Sequence, residues 1–225
     1  MMREKIIFMR NKPRWEELYG KKNRYGVKPC ALAKIALERM KKNKVGKILD
    51  LGSGEGKDGI FFAKNGYEVF CLDFSEKAIG SCKENAESAG VENLVHPLLE
   101  DISKPFKFED GEFDAVFAHL SLHYFDDATT TKIFDEIHRV LKMGGLFFAN
   151  VKSVNDPLYG KGKKIDEDTY ELGHVRHFFS EAYLLEKSKR FEIVSVRELE
   201  DESEYAKKEV SGRSVFLEMI ARKTD

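Results

Sequence analysis

The chain reads as an α/β protein built on a doubly wound, Rossmann-like, mostly parallel sheet. Three observations predict this. Short apolar strands alternate with amphipathic helices between residues 47 and 151, the pattern of successive strand–helix–strand units. The first strand runs directly into a glycine turn, Ile48-Leu-Asp-Leu-Gly-Ser-Gly-Glu-Gly56. An acid, Asp73, closes the next strand 21 positions after Gly52, where doubly wound folds keep the residue that reads a ribose.

Residues 30–42 form an amphipathic helix with Ala31, Ile35, Ala36 and Met40 on one side, and Pro29 suits its start. Lys47–Leu51 is a strand and Lys57–Lys64 a helix, stopped by Asn65-Gly66. Tyr67–Leu72 is a second strand, short and apolar as buried parallel strands are. Ser75 caps a helix that runs to Gly90, and Asn93–Leu98 is the third strand. A charged loop over 103–112 leads to a fourth strand, Phe113–Ala118. In Ala128–Leu141, the residues Ile133, Phe134, Ile137, Val140 and Leu141 recur at helical spacing. Met143-Gly144-Gly145 ends that helix, and Leu146–Val151 is the fifth strand.

Residues 152–180 are rich in Gly, Lys and Asp and too long for an ordinary connection, so they are expected to form a lid or substrate loop. Ser180 starts a short helix, and Phe191–Arg197 with Ser214–Ala221 forms a terminal antiparallel hairpin. No repeat or linker interrupts the pattern, so one domain is expected over 1–225, with 1–44 as an N-terminal basic cap.

Apolar residues make up 42% of the 225, enough for a core, and the formal net charge is −1. Residues 1–47 hold 15 Lys/Arg against 4 Asp/Glu, leaving 23 basic and 35 acidic residues elsewhere. Two readings of the basic segment stand: a solvated helix on an acidic body, or a surface for an anionic partner such as RNA. No aromatic–basic stripe accompanies the charge, which favours the first. Cys30, Cys71 and Cys82 are odd in number and lack paired spacing, against a disulfide framework or zinc ribbon. No apolar run approaches the roughly 20 residues of a membrane span or makes a leader. A soluble, cytoplasmic protein is expected.

The glycine turn discriminates between ligands. A phosphate-binding loop needs a Ser or Thr after Gly-Lys and a glycine five positions earlier; here Asp58 follows Gly56-Lys57, and Leu51 holds the earlier position. The dinucleotide fingerprint places its third glycine one position later than Gly56. Glu55 and Asp58 would also repel a pyrophosphate. S-adenosylmethionine, with a sulfonium and an ammonium and no phosphate, suits this site. Gly52 and Gly54 would admit its amino-acid end, Asp50 would face the ammonium, and Asp73 would accept from the ribose hydroxyls.

The run Ile48–Gly56 resembles the first motif of class I S-adenosylmethionine-dependent methyltransferases, and Phe70-Cys-Leu-Asp73 resembles their second. Leu98-Leu-Glu-Asp101-Ile102 resembles their third, and the Met143-Gly144-Gly145 turn is also typical. Asp58, Gly66-Tyr67 and the closing Met219-Ile-Ala-Arg-Lys223 look like TehB-like (tellurite-resistance) and related small-molecule methyltransferases. The resemblance covers residues 46–151. It implies cofactor contacts at Asp50, Gly52, Ser53, Gly54, Asp73, Phe74, Asp101, Ile102 and His119, with Asp101 reading the adenine amino group.

The acceptor should lie beyond the carboxyl ends of the strands. The segment after the fourth strand, Ala118-His119-Leu-Ser-Leu-His123-Tyr124, lacks both the Pro-Pro-aromatic motif of base N-methylases and the Pro-Cys of cytosine C5-methylases. A small-molecule acceptor is therefore expected. His119 and His123 are candidate general bases. They lie four apart, yet the H-E-x-x-H pattern is missing, so no metal is assigned. Arg176, inside Gly173-His174-Val-Arg176-His177-Phe178-Phe179, either binds an acceptor anion or makes an ion pair. Trp15, Tyr19, Arg24 and Tyr25 suggest a flap over the cofactor. The expected activity is methyl transfer to a small molecule. An RNA methyltransferase using the basic segment, and a non-catalytic cofactor-binding module, are the alternatives.

Overall fold

The computed structural model describes residues 13–20, 26–43, 46–201 and 213–224. Arg24 and Tyr25 lie outside them. A short helix, α1 (13–19), precedes α2 (Ala31–Asn43). The alternating region follows as β1 (Lys47–Leu51), α3 (Lys57–Ala63), β2 (Glu68–Asp73), α4 (Glu76–Ala89), β3 (Val95–Leu99), β4 (Phe113–His119), α5 (Asp127–Val140) and β5 (Leu141–Lys152). Then come β6 (Lys163–Asp166), β7 (Thr169–Leu172), β8 (His174–His177), α6 (Glu181–Lys187), β9 (Phe191–Asp201) and β10 (Ser214–Lys223).

The main sheet has seven strands in the order β3-β2-β1-β4-β5-β10-β9. Pairs among β1 to β5 are parallel, and β10 runs antiparallel between β5 and β9. This is the doubly wound sheet with an antiparallel hairpin strand that the sequence predicts. The order reverses at β1/β4, the switch point beyond which ligands of such sheets bind.

Local chemistry sets the helix ends. Ser75 Oγ accepts from Ala78 N at 3.1 Å to open α4, and Gly90 closes it at φ +67°. Asp126 Oδ1 accepts from Thr129 N at 2.8 Å to open α5. Alternation along the strands builds two cores. Leu49, Val116, Phe147 and Met219 face α5, while Ile48, Phe117, Phe148 and Ile220 face α2 and α3.

Two features depart from the sequence reading. Strand β5 begins at Leu141, so Met143-Gly144-Gly145 lies within it: Phe113 pairs with Leu141 and Ala115 with Leu146, so the residues between bulge out. The segment 152–179, read as irregular, contains the three-stranded antiparallel sheet β6-β7-β8. Its strands have only four residues each, and their mixed polarity hides the two-residue period.

Candidate functional site

Strand β1 delivers Asp50 and Leu51 to the switch point, and the chain turns there on three glycines, with φ +70° at Gly52, +56° at Gly54 and +80° at Gly56. The turn has no room for side chains. A Cβ on Gly52 would stand 2.5 Å from Ser121 Cβ, and one on Gly54 would stand 2.7 Å from the Tyr19 hydroxyl. Ser121 is fixed there because its Oγ donates to Leu51 O at 2.6 Å. Leu120, the residue before it, is held at φ +57°, a strained conformation for a branched side chain at the end of β4.

Asp73 ends β2 opposite this turn, and its carboxylate accepts Gly54 N on Oδ2 and Ser75 N on Oδ1, both at 2.9 Å. Burial outweighs these bonds and pushes its carboxyl up to about 6, and Glu16 of α1 adds to the rise. Asp50 is buried and its carboxyl is raised well above the usual range, first by burial and then by the Asp58 charge. Its Oδ2 has no hydrogen-bond partner. Asp58 is already committed, accepting Cys30 N at 2.8 Å and Lys57 Nζ at 2.6 Å.

Two cavities adjoin at this turn, and Trp15, Tyr19, Gly52, Leu120 and Tyr124 line both. The smaller, about 60 Å³, also takes in Asp73, Phe74, Glu100, Ile102 and Phe125. The larger, about 690 Å³, contains Asp50, Ser53, Gly54, His119 and His123, and falls within the size range of small-molecule sites. Trp15 roofs the junction, stacked on Tyr19 and His174 at centroid distances of 5.6 and 4.8 Å and edge-on to Tyr124 at 5.3 Å. The flap residues Trp15 and Tyr19 thus sit over the glycine turn.

S-adenosylmethionine fits this donor set. The buried Asp50 Oδ2 is without a partner, the glycine cradle leaves the backbone open to contact, Asp73 is oriented by two N–H groups, and Phe74 and Ile102 flank the smaller cavity. Asp101 is half-buried and spends Oδ1 on Ser103 N at 2.9 Å; its neighbours Glu100 and Ile102 line the cavity.

His119 is half-buried, with Nδ1 3.5 Å from Asn150 Nδ2. His123 is fully enclosed, and both its ring nitrogens lack hydrogen-bond partners. Burial, and next the positive charges of Lys152 and Arg176, hold its imidazole far below the usual range, so it is neutral. Arg176 lines neither cavity; it is buried on β8, and its Nη1 donates to Leu172 O at 3.2 Å. One further grouping brings the Cys30 thiol, the Asp58 carboxylate and a His119 ring nitrogen within 4.8 Å of one another. Burial drives the Cys30 thiol far up, so it stays protonated, and both Asp58 oxygens are engaged.

The larger cavity also contains residues that sequence reasoning missed: Asn150 and Lys152 on β5, Phe216 and Glu218 on β10, and Leu199 on β9. Strand register brings them together. His119 pairs with Asn150, Asn150 with Glu218, and Glu218 with Arg197, a row across four strands. Two-residue spacing places Lys152 and Phe216 on the same face.

The sheet order is that of the class I S-adenosylmethionine-dependent methyltransferase fold, and S-adenosylmethionine is the cofactor. Residues 48–145 match the family described as a methyltransferase domain. An uncharacterized methyltransferase of Synechocystis sp. is 40% identical over 101 residues, covering 45% of this chain and 44% of that one. The chain thus spans less than half the length of the curated relatives it matches. A solved S-adenosylmethionine-dependent methyltransferase from Methanosarcina mazei superposes with a TM-score of 0.69 at 25% identity, covering 79% of this chain and 92% of that one. TehB from Haemophilus influenzae shares the fold, with a TM-score of 0.65 at 22% identity over 85% of this chain and 62% of that one. Among the described residues, no helix is long and apolar enough to cross a membrane.

Proposed function

We propose that this protein transfers the methyl group of S-adenosylmethionine to a small molecule held in the larger cavity. The observation that carries this reading is the shared wall of the two cavities. A donor whose adenine edge enters the smaller cavity beside Phe74 and Ile102 has its methionine end at Gly52, where the 690 Å³ space opens. When bound, the cofactor supplies an activated methyl group on a cationic sulfur. The protein's contribution is therefore positioning and exclusion of water.

In this reading Asp73 accepts from the ribose hydroxyls, and Asp50 Oδ2 accepts from the ammonium. The Gly52-Ser53-Gly54 backbone carries the amino-acid end, and Phe74 and Ile102 hold the adenine between them. Asp101 reads the adenine amino group from the loop after β3. His119 and His123 face the acceptor. His123, being neutral, can take or give a hydrogen bond without placing a cation beside the sulfonium. Arg176 is a positioning residue here, since its charge favours neutral His123 from outside the cavity.

Calorimetric titration with the cofactor tests the reading. Saturable binding is expected for the wild type, with affinity reduced about tenfold or more in Asp73→Asn, which loses a charged hydrogen-bond acceptor. Absence of binding at millimolar cofactor overturns it. Methyl incorporation into tRNA but not into a small-molecule extract would move the acceptor to RNA.

A further inference from the structure

The floor of the larger cavity carries a pattern of unmet hydrogen bonds. Glu218 is 2% exposed and Asn150 6% exposed, and they are register partners on adjacent antiparallel strands. Such partners hold their Cβ atoms about 4.5–5.5 Å apart. Glu218 Oε1 is taken by Arg197, whose Nε donates at 2.7 Å. Glu218 Oε2 has no partner. Asn150 turns Nδ2 toward His119 Nδ1, and its Oδ1 has no partner either. Both line the larger cavity, as does His123. Buried polar atoms are rarely left unsatisfied, and those that are point to a missing partner.

Both orphaned atoms on the floor are acceptors, so the missing partner is a donor with two hydrogens. A carboxylate acceptor brings no hydrogen to either orphaned atom. An alcohol has one O–H and would leave one floor acceptor unsatisfied.

From this pattern we infer that the methyl acceptor is an amine, held by two N–H bonds to Glu218 Oε2 and Asn150 Oδ1. The inference rests on the methyl-transfer reading above. The amine binds neutral, with its lone pair free. That pair forms the N–C bond while the C–S bond breaks and its electrons pass to sulfur, leaving a neutral thioether. The product is the methylated ammonium, which stays paired to the Glu218 carboxylate and gives up its proton to water after release. Glu218 and Asn150 thus set the choice of nucleophile, and His123 contributes one further donor and acceptor on the cavity wall.

The test is equilibrium binding to the protein loaded with S-adenosylhomocysteine. The probes are matched amines, alcohols and carboxylates on common skeletons, such as benzylamine, benzyl alcohol and benzoate. Amines are expected to bind at least about tenfold more tightly than their matched alcohols and carboxylates. Glu218→Gln should weaken amine binding about tenfold or more, while Asn150→Asp, which adds a charged acceptor, should strengthen it several-fold. Affinity for S-adenosylhomocysteine should stay within about twofold in both variants, which also reports that they fold. The inference is overturned if carboxylates or alcohols bind better than matched amines. It is equally overturned if no amine binds at millimolar concentration, or if both substitutions weaken amines alike. Failure of the wild type to bind S-adenosylhomocysteine would instead overturn the methyl-transfer reading itself.

Discussion

Two residues govern the cofactor turn through different physics. Gly52 acts through space and backbone: its φ of +70° strains any L side chain, and Ser121 occupies the place a Cβ would take. Gly52→Ala is expected to cost about 1–3 kcal/mol in urea unfolding and to weaken cofactor binding more than tenfold. Adding Ser121→Gly should recover part of both losses, because it removes the clash and leaves only the φ strain. Asp73 acts through charge. Its carboxyl is pushed up to about 6, and the proposed hydrogen bonds from the ribose hydroxyls need the ionised form. Cofactor binding therefore draws a proton off, so affinity should fall about tenfold per unit as pH drops below about 6 and level off above it. Burial and the Asp58 charge shift Asp50 in the same direction. Titration calorimetry between pH 5 and 8 reads this directly, and affinity that rises on acidification would contradict it. Both residues were legible in the sequence, because a glycine turn and the acid after the next strand form a local pattern.

At the scale of elements, legibility declines with sequence separation. The alternation of β1 to β5 with α3 to α5 shows in apolar periodicity, and so does the terminal hairpin. The cavity floor does not. Glu218 stands amid Val215, Phe216, Leu217, Met219 and Ile220 and reads as an interruption of a core strand, and only the register with Asn150, 68 positions away, makes it part of a site. Helix α1 is a second case, since seven residues are too few to hold a helix alone. Tertiary contacts maintain it: the Trp15 stack on His174, Tyr19 over Gly54, and Glu16 Oε1 accepting Glu76 N at 3.0 Å. Trp15→Ala is expected to weaken cofactor binding about five- to tenfold through a faster off-rate. The loss of one aromatic stack and its roof contact is worth about 1 kcal/mol. Stopped-flow dissociation should show the change, with the urea midpoint nearly unmoved because Trp15 lies outside both cores.

For the whole molecule, the larger cavity depends on how the antiparallel hairpin is fastened to the parallel sheet. Lys152, at the end of β5, is 3% exposed, and its Nζ lies 2.9 Å from Asp156 Oδ2 and 2.8 Å from Ser214 Oγ at the start of β10. Asp156 also accepts Val215 N at 2.9 Å and Leu158 N at 2.9 Å. One buried carboxylate thus joins β5, the connection after it and β10, and keeps Glu218 in register with Asn150. Removing one member of a buried pair leaves the other charge uncompensated, which costs about 3–5 kcal/mol, whereas replacing both with apolar residues is often close to neutral. Asp156→Ala is expected to lower stability by that amount in urea unfolding. Lys152→Met with Asp156→Leu should recover most of the loss, because two desolvated charges disappear together. Cofactor affinity should be nearly unchanged in the double variant, since Asp50, Gly52 and Asp73 lie on the opposite side of β4, while amine binding should fall with the loosened β5–β10 register. If the double variant is as unstable as Asp156→Ala, the pair holds the hairpin by its hydrogen bonds to Ser214 and Val215 and not by compensating charge.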